Sequence, residues 1–524
     1  MMKKQIKTKN LDHLGLIAGI CDDLQIENII DGMIEKDVRE KVSAGQIVKA
    51  IILNGLGFLS KPLYLFPQYF QDKPVEKLLG SGIKASEIND DKIGRVMDDI
   101  YEISCSLLWT KIGLNTIEKF DILTKFSHLD STSISVEGKY NSENNSTELS
   151  ENVIKITQGY SRDKRPDLNQ FMMDLMVSND GDVPLGMRIG DGNESDKTVF
   201  PKFILDYQKN MNLETIYVGD SALYTAKNLH ILKKLSWLSR VPMTIKKAKE
   251  IVRKNIPSED WQISEILGYR YREQKVNYHG IEQRWLVVES DKRKEADLLK
   301  LEKKLSKEKN KIEKYLKVRK KKKEDLEREI KELDQKLKYH KLWKISYKQN
   351  KTKQNKVSYS CEIQYQENTE QIEWAKQEAG KFILATNILD KEVLSEEEIL
   401  REYKNQQSCE RGFRFIKDPL FLASYVFVKN PKRVAVMGMI MGLCLLVYSI
   451  GQRMLRQELK KKKEMIKNQV NNWTNKPTLR WIFQMFQGIH QICINEEEWI
   501  NNLNEERKKI LSYFSINCQK YYFN

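Results

Sequence analysis

The sequence predicts a mixed α/β protein: a helical N-terminal region, then one sheet of three antiparallel strands and further strands alternating with helices, interrupted by a long insertion. Three observations carry that expectation. The chain has 524 residues, 40% hydrophobic and 31% charged, the composition of a water-soluble globular protein with room for several structural units. Its apolar period changes from helical to alternating near residue 124. Between 291 and about 340, a run free of glycine and proline keeps leucine or isoleucine at a seven-residue spacing.

Residues 1–120 read as short helices broken by Gly55, Gly57, Pro62, Pro67 and Pro74, with Ile93, Val96, Ile100 and Ile103 recurring at helical spacing after the cap Asn89. A DNA-reading helical region and a generic bundle share this pattern. Residues 121–242 follow the order β-β-β-α-β-α-β. The strands fall at 124–137, 171–178, 183–189, 215–220 and 237–241, the helices at 196–209 and 226–235. Residues 243–375 form the insertion, with strand-like stretches at 268–276, 282–288 and 358–364. Its arm, about 291–340, reads as a coiled coil on Leu298, Leu305, Ile312, Leu326 and Leu333, continuous or folded back near 318–323. The sheet resumes in 376–450 with a strand at 380–386 and a helix at 395–417, opened by the capping box Ser395 and Glu398; 451–524 is a C-terminal helical region.

Lys and Arg number 89 against 73 Asp and Glu, a net charge of +16, which suggests a polyanionic partner although a lysine-rich composition writes the same number. Residues 291–356 hold 26 basic and 12 acidic side chains, so +14 of the excess sits in one segment. Seven scattered cysteines with no C-x-x-C pair indicate neither a disulfide framework nor a zinc site, and fit a reducing cytoplasm. The N-terminus lacks an apolar signal core. The apolar run 434–450, flanked by Lys432, Arg433 and Arg453, reads as a buried core helix rather than a membrane span.

Two aspartates, Asp130 and Asp220, stand in apolar strands, where a buried unpaired charge costs several kcal/mol. Alone, each reads as structural. With a third carboxylate on a later helix they suit phosphodiester cleavage, in which hard oxygen ligands hold two metal ions astride the scissile phosphate. Helix 395–417 offers Glu410, and at ~100° per residue Tyr403, Gln406, Glu410, Arg414 and Lys417 share one face. An ordinary solvated stripe has the same spacing. Of the weaker positions, Arg162, Lys164 and Arg165 form a basic loop, Arg240 precedes Pro242, Asn193 and Asp196 read as caps, and His128 shares a strand face with Asp130. Trp237, Trp343, Trp374 and Trp473 read as core before base-stacking.

Tyr403-x2-Gln406-x3-Glu410-x6-Lys417 resembles the Y-(2)-R-(3)-E-(6)-K signature of the DDE transposases of the insertion-sequence-four superfamily. Asp130 in HLDST and Asp220 in YVGDSALY resemble that family's first two acidic residues. The phrases GYSRDKRPDL at 159–168, GNESDKT at 192–198 and ERGFRFIKDP at 410–419 resemble a subgroup with a long insertion before the glutamate. The resemblance runs in order through about residues 10–490. It implies a ribonuclease H-like core and DNA cut-and-paste: hydrolysis at element ends frees a 3′-hydroxyl, which then attacks target DNA. It further implies Asp130, Asp220 and Glu410 as catalytic ligands of two Mg2+ ions, with Mn2+ substituting. Tyr403 and Lys417 would grip phosphates. Apart from the resemblance, the loop of Arg162 and Arg165 is either a DNA contact or a solvated loop, and Arg240 either lines the site or packs. The partners implied are double-stranded DNA, as terminal inverted repeats and target, and a second copy in a synaptic homodimer of a bacterial insertion sequence. Gln406 departs from the family's arginine, which puts the phosphate contact of that position in doubt, and Arg414, on the same face one turn past Glu410, is expected to supply the missing cation. Two other readings stay open: a nuclease of the same fold that cuts without joining, and a non-catalytic, domesticated DNA-binding protein.

Overall fold

Alternating side chains from residue 126 onward form strand β1 (Phe126–Val136), which pairs antiparallel with β2 (Asn169–Ser178), itself antiparallel to β3 (Pro184–Gly190). Helix α1 (Asp196–Met211) leads to β4 (Ile216–Gly219), parallel to β1 on its other edge, in the order β3-β2-β1-β4. In this computed structural model the described residues are 6–35, 40–58, 61–138, 140, 153–254, 257–351, 357–418, 430–494 and 497–523. They fall into two compact units, Met1–Trp237 with Lys404–Asn524, and Leu238–Tyr403.

In the first unit β2 is buried along nine of its ten residues because helices cover both sheet faces. On one side α1 brings Tyr207 against Gly186, where an added Cβ would stand 2.8 Å from the ring. On the other lie α2 (Gln407–Ile416) and the 32-residue α3 (Pro431–Lys462). Gly438 lets α3 approach β3 so closely that a Cβ would come within 2.8 Å of Ile189. Helix α3 is long and apolar enough to cross a membrane, yet 89% of its apolar window is buried inside the protein, so the expectation of a core helix holds. Its Arg453, 7% exposed, grips Asp180 in the β2–β3 turn and the carbonyl of Phe120.

The chain's two ends interleave within this unit. The strand Ile6–Asn10 pairs with His490–Ile494, which pairs in turn with Glu497–Asn501. Lys49, 3% exposed, sits 2.5 Å from Asp22 and 3.2 Å from the Tyr521 hydroxyl. Residues read from sequence as an N-terminal and a C-terminal region therefore share one core. A helix α4 (Leu479–Met485) also belongs to this unit, capped by the Thr478 side chain.

In the second unit Tyr269–Tyr278 and Ile281–Ser290 form a hairpin around His279 and Gly280, both at positive φ as a tight two-residue turn requires, and Lys381–Thr386 pairs with the second strand. The insertion departs from the coiled-coil expectation. It forms two helices, Asp291–Leu316 and Lys323–Lys336, and both lie on an antiparallel hairpin, His340–Lys351 with Val357–Glu367. Ile312, Leu326, Ile330 and Leu333 pack with Cys361 and Ile363. The seven-residue period is an apolar stripe whose partner is a sheet, and the chain folds back at 317–322. The units divide at 237/238 and 403/404, where the sequence reading drew boundaries at 242/243 and 375/376. The expected single helix 395–417 is two, Glu396–Asn405 and α2, with the helical ladder interrupted at Gln406; the Ser395–Glu398 capping box is present.

Candidate active site

The parallel register pairs His128 of β1 with Val218 of β4, so two residues further along Asp130 comes level with Asp220, just past the end of β4. Asp130 is 17% exposed. Burial pushes its carboxyl up to about 6 and the negative charge of Asp220 adds to this, while Arg162 and the Ser131 N–H, donating at 2.8 Å, pull the other way. Asp220 is held in its turn by the Ala222 N–H, which donates to Oδ1 at 2.8 Å.

The loop 159–167 closes over this edge. Arg162 places Nη1 at 3.4 Å from Asp130 Oδ1 and donates to the Ser131 carbonyl, while its Nη2 donates to Asp196 Oδ2 at 2.5 Å. Its backbone N–H donates to Ser133 Oγ at 3.1 Å. At the other end Lys417, the C-cap of α2, holds both Asp163 oxygens at 2.8 and 2.9 Å. Arg165 is exposed and paired with Asp167 at 2.8 Å. Three cations assigned from sequence to DNA are thus each matched by a carboxylate. Asp196, read as a cap, is instead the first residue of α1 and a partner of Arg162; Ser195 is the N-cap residue and makes no side-chain capping bond.

Beneath the site a polar row crosses three strands. Ser131 Oγ donates to Asp174 Oδ1 at 2.5 Å, Asp174 lies 3.3 Å from Arg188, and Arg188 pairs with Glu194. Asp174 is 2% exposed, and burial raises its pKa to about 6 against the opposing pull of Arg188. Sequence reasoning passed over Asp174 and Arg188. Their signal was two charges at paired positions of otherwise apolar strands.

Helix α2 lies on the Asp130 face. The Cys409 thiol donates to the His128 carbonyl at 3.3 Å, and Gly412 packs close to Leu445 and Leu175, the residue paired with Asp130. Burial, with the nearby charge of Asp130, raises the Cys409 pKa. Glu410, the next residue, is exposed, as is Arg414. The five-residue stripe is divided: Glu410 and Arg414 lie on α2 and Lys417 caps it, Gln406 stands at the interruption, and Tyr403 belongs to the preceding helix. Tyr403 packs at 5.9 Å from the Phe382 ring in the second unit, where the Arg240 guanidinium also lies 5.6 Å from Phe382.

Asp130, Asp220 and Glu410 offer hard oxygen donors of the type that Mg2+ prefers. Among the described residues no three His, Cys, Asp or Glu side chains stand close enough to hold an ion together. The two aspartates fit such a role as they stand, with Arg162 as the cation beside Asp130; Glu410 would be the third ligand.

Residues 6–114 match a domain of unknown function, DUF4277, and residues 124–447 match the transposase DDE domain. No curated protein matches the chain. Among solved structures, it is similar to a piggyBac transposase in a synaptic complex with hairpin DNA, at 10% identity over 92% of this chain and 82% of that one, with a TM-score of 0.38. That likeness is too distant for a residue-level comparison. The match over 124–447 takes in Asp130, Asp220 and Glu410 and covers more than half of the sequence, and by it the chain belongs to the transposase DDE domain family, enzymes that cleave DNA and transfer its strands.

Proposed function

We propose that the chain is the transposase of a bacterial insertion sequence, of the insertion-sequence-four superfamily subgroup with a long insertion before the glutamate. It acts in the cytoplasm as a synaptic homodimer on terminal inverted repeats and target DNA. The observation that supports the reading most is the β1–β4 register, which pairs His128 with Val218 and so brings Asp130 level with Asp220, while Cys409 of α2, the neighbour of Glu410, meets the His128 carbonyl. Helices on both faces of the β3-β2-β1-β4 order support a ribonuclease H-like core.

In this reading Asp130, Asp220 and Glu410 would hold two Mg2+ ions, or Mn2+, which when bound would neutralise charge at the scissile phosphate. Lys417 exchanges Asp163 for a DNA phosphate as a point charge, Tyr403 contacts one through its hydroxyl, and Arg162, Arg165 and Arg240 line the path. Gln406 carries no charge, and Arg414, exposed and four residues past Glu410, supplies the missing cation. Loss of cleavage in Arg414→Ala with partial rescue by Gln406→Arg is expected; wild-type cleavage in Arg414→Ala overturns that assignment.

Joining separates a transposase from a nuclease. A duplex ending in the DNA that flanks the gene, pre-cut to expose its 3′-hydroxyl, is incubated with a second duplex, Mg2+ and protein. Covalent joined products are expected; cutting with no joined product supports the nuclease reading instead.

A further inference from the structure

Helices α2, α3 and α4 enclose a cleft of about 580 Å³ in the first unit, separate from the Asp130 edge. Its charged lining is four arginines and two aspartates: Arg411, Arg414, Arg456, Arg480, Asp182 and Asp418. Arg411 makes a two-pronged pair with Asp182, at 2.8 and 2.9 Å, and Arg480 pairs with Asp418 at 2.7 Å. The other two guanidiniums have no carboxylate within ion-pair reach among the described residues. Arg456 gives one N–H to the Pro477 carbonyl at 2.9 Å, and among the described residues its remaining donors meet no acceptor. It is half-buried, and burial, helped by the charge of Arg411, pulls its pKa below the usual arginine value against Tyr448 and Asp182. A partly desolvated guanidinium with unused donors is costly unless an anion completes it.

Phosphate oxygens match that need, because guanidinium donors meet them in pairs. The cleft also shares a helix with the proposed chemistry. On α2, Arg414 lies ~40° and Arg411 ~100° around from Glu410. We propose that this cleft is a second DNA-backbone site, in which Arg456 and Arg411, with Arg480, hold phosphates away from the cut. The inference rests on Glu410 marking the cutting site, but it concerns binding rather than cleavage, so the two fail separately.

The test uses the full chain carrying Asp220→Asn and a fluorescent duplex of arbitrary sequence, with affinity followed against KCl concentration. Each phosphate contact contributes ~0.9 to the slope of log K against log salt. Arg456→Gln should make the slope shallower by about 1 and Arg411→Gln/Arg456→Gln by about 2, while Arg456→Lys keeps it. An unchanged slope in an Arg456→Gln protein that melts like its parent overturns the proposal. If that variant does not fold, Arg411→Gln alone replaces it, with a slope shallower by about 1 expected and an unchanged slope as the contrary result. Cutting that persists in Asp220→Asn, whatever the slopes, strikes the active-site assignment and leaves the cleft standing.

Discussion

The edge around Asp130 and the inserted segment 291–356 handle charge in opposite ways. At the edge few charges are present, most are partly buried, and the nearby cations are matched: Arg162 to Asp130 and Asp196, Lys417 to Asp163, Arg188 to Asp174 and Glu194. In the insertion 26 basic residues outnumber 12 acidic ones, and the described ones stand mostly exposed, with ion pairs of the solvated i,i+3 and i,i+4 kind such as Lys323–Glu327 and Lys336–Glu332. The first region spends burial to set protonation and position. The second holds the chain's positive charge on a small apolar cluster. The net charge of +16 therefore says little about where the chemistry lies.

The contrast breaks most sharply at the carboxylates. Asp130→Asn is expected to lower cleavage by at least about 10³-fold, near 4 kcal/mol of barrier, with duplex affinity within a few-fold of wild type. Comparable losses of cutting and binding would show that Asp130 serves the fold or the DNA contact instead. In the insertion the largest effect is on packing. Ile312→Ala, at a fully buried position, should cost ~2–5 kcal/mol and open the two helices and their hairpin to proteolysis. Wild-type proteolytic resistance would mean that the apolar cluster does not hold this region together.

A smaller effect concerns Asp174. Its folded pKa of about 6 lies above the unfolded value near 3.9, so the folded state keeps a proton that the unfolded state has released. Stability from this group is therefore present below pH ~4, is lost as pH rises to about 6, and is flat above, a total of up to about 3 kcal/mol. Asp174→Asn removes the ionisation, so wild type should lose stability relative to the variant across that window, as followed by urea unfolding at several pH values. A wild type that gains stability relative to the variant as pH rises would place Asp174 as an ordinary ion-pair partner, and a pH-independent difference would mean that burial leaves its pKa unshifted. Smallest is the exposed face of the insertion. Replacing Lys307, Lys309, Lys311 and Lys314 by Gln should leave cleavage rate unchanged and flatten the salt dependence of DNA binding by ~0.9 for each phosphate contact removed. An unchanged slope would make the lysine excess a matter of composition.

What the sequence revealed and what it hid follow from the range of the interactions. Period-two alternation is local, so the strands at 126–136, 169–178 and 184–190 were legible to within two residues, and Asp130 and Asp220 stood out as charges in apolar runs. The leucine period at 298–333 was also legible, but its partner was not, because a helix stripe looks the same against a helix or a sheet. The interruption at Gln406 has no proline or glycine to announce it, so the stripe from Tyr403 to Lys417 read as one helix. The pairing of Lys417 with Asp163 joins residues 254 positions apart, and that of Arg162 with Asp196 joins residues 34 apart; no local pattern encodes either. Arg456 and Arg480 escaped notice for the same reason: only the packing of α3 and α4 against α2 gathers them with Arg411.

The central claim is that Glu410 acts with Asp130 and Asp220 as one cutting site. Wild type and Glu410→Gln are compared on a labelled duplex carrying the DNA that flanks the gene, with Mg2+, with Mn2+ and with EDTA, and affinity for the same duplex is measured in EDTA. The account predicts metal-dependent cleavage by wild type, none by Glu410→Gln, and equal affinity. Undiminished cleavage by Glu410→Gln would contradict it.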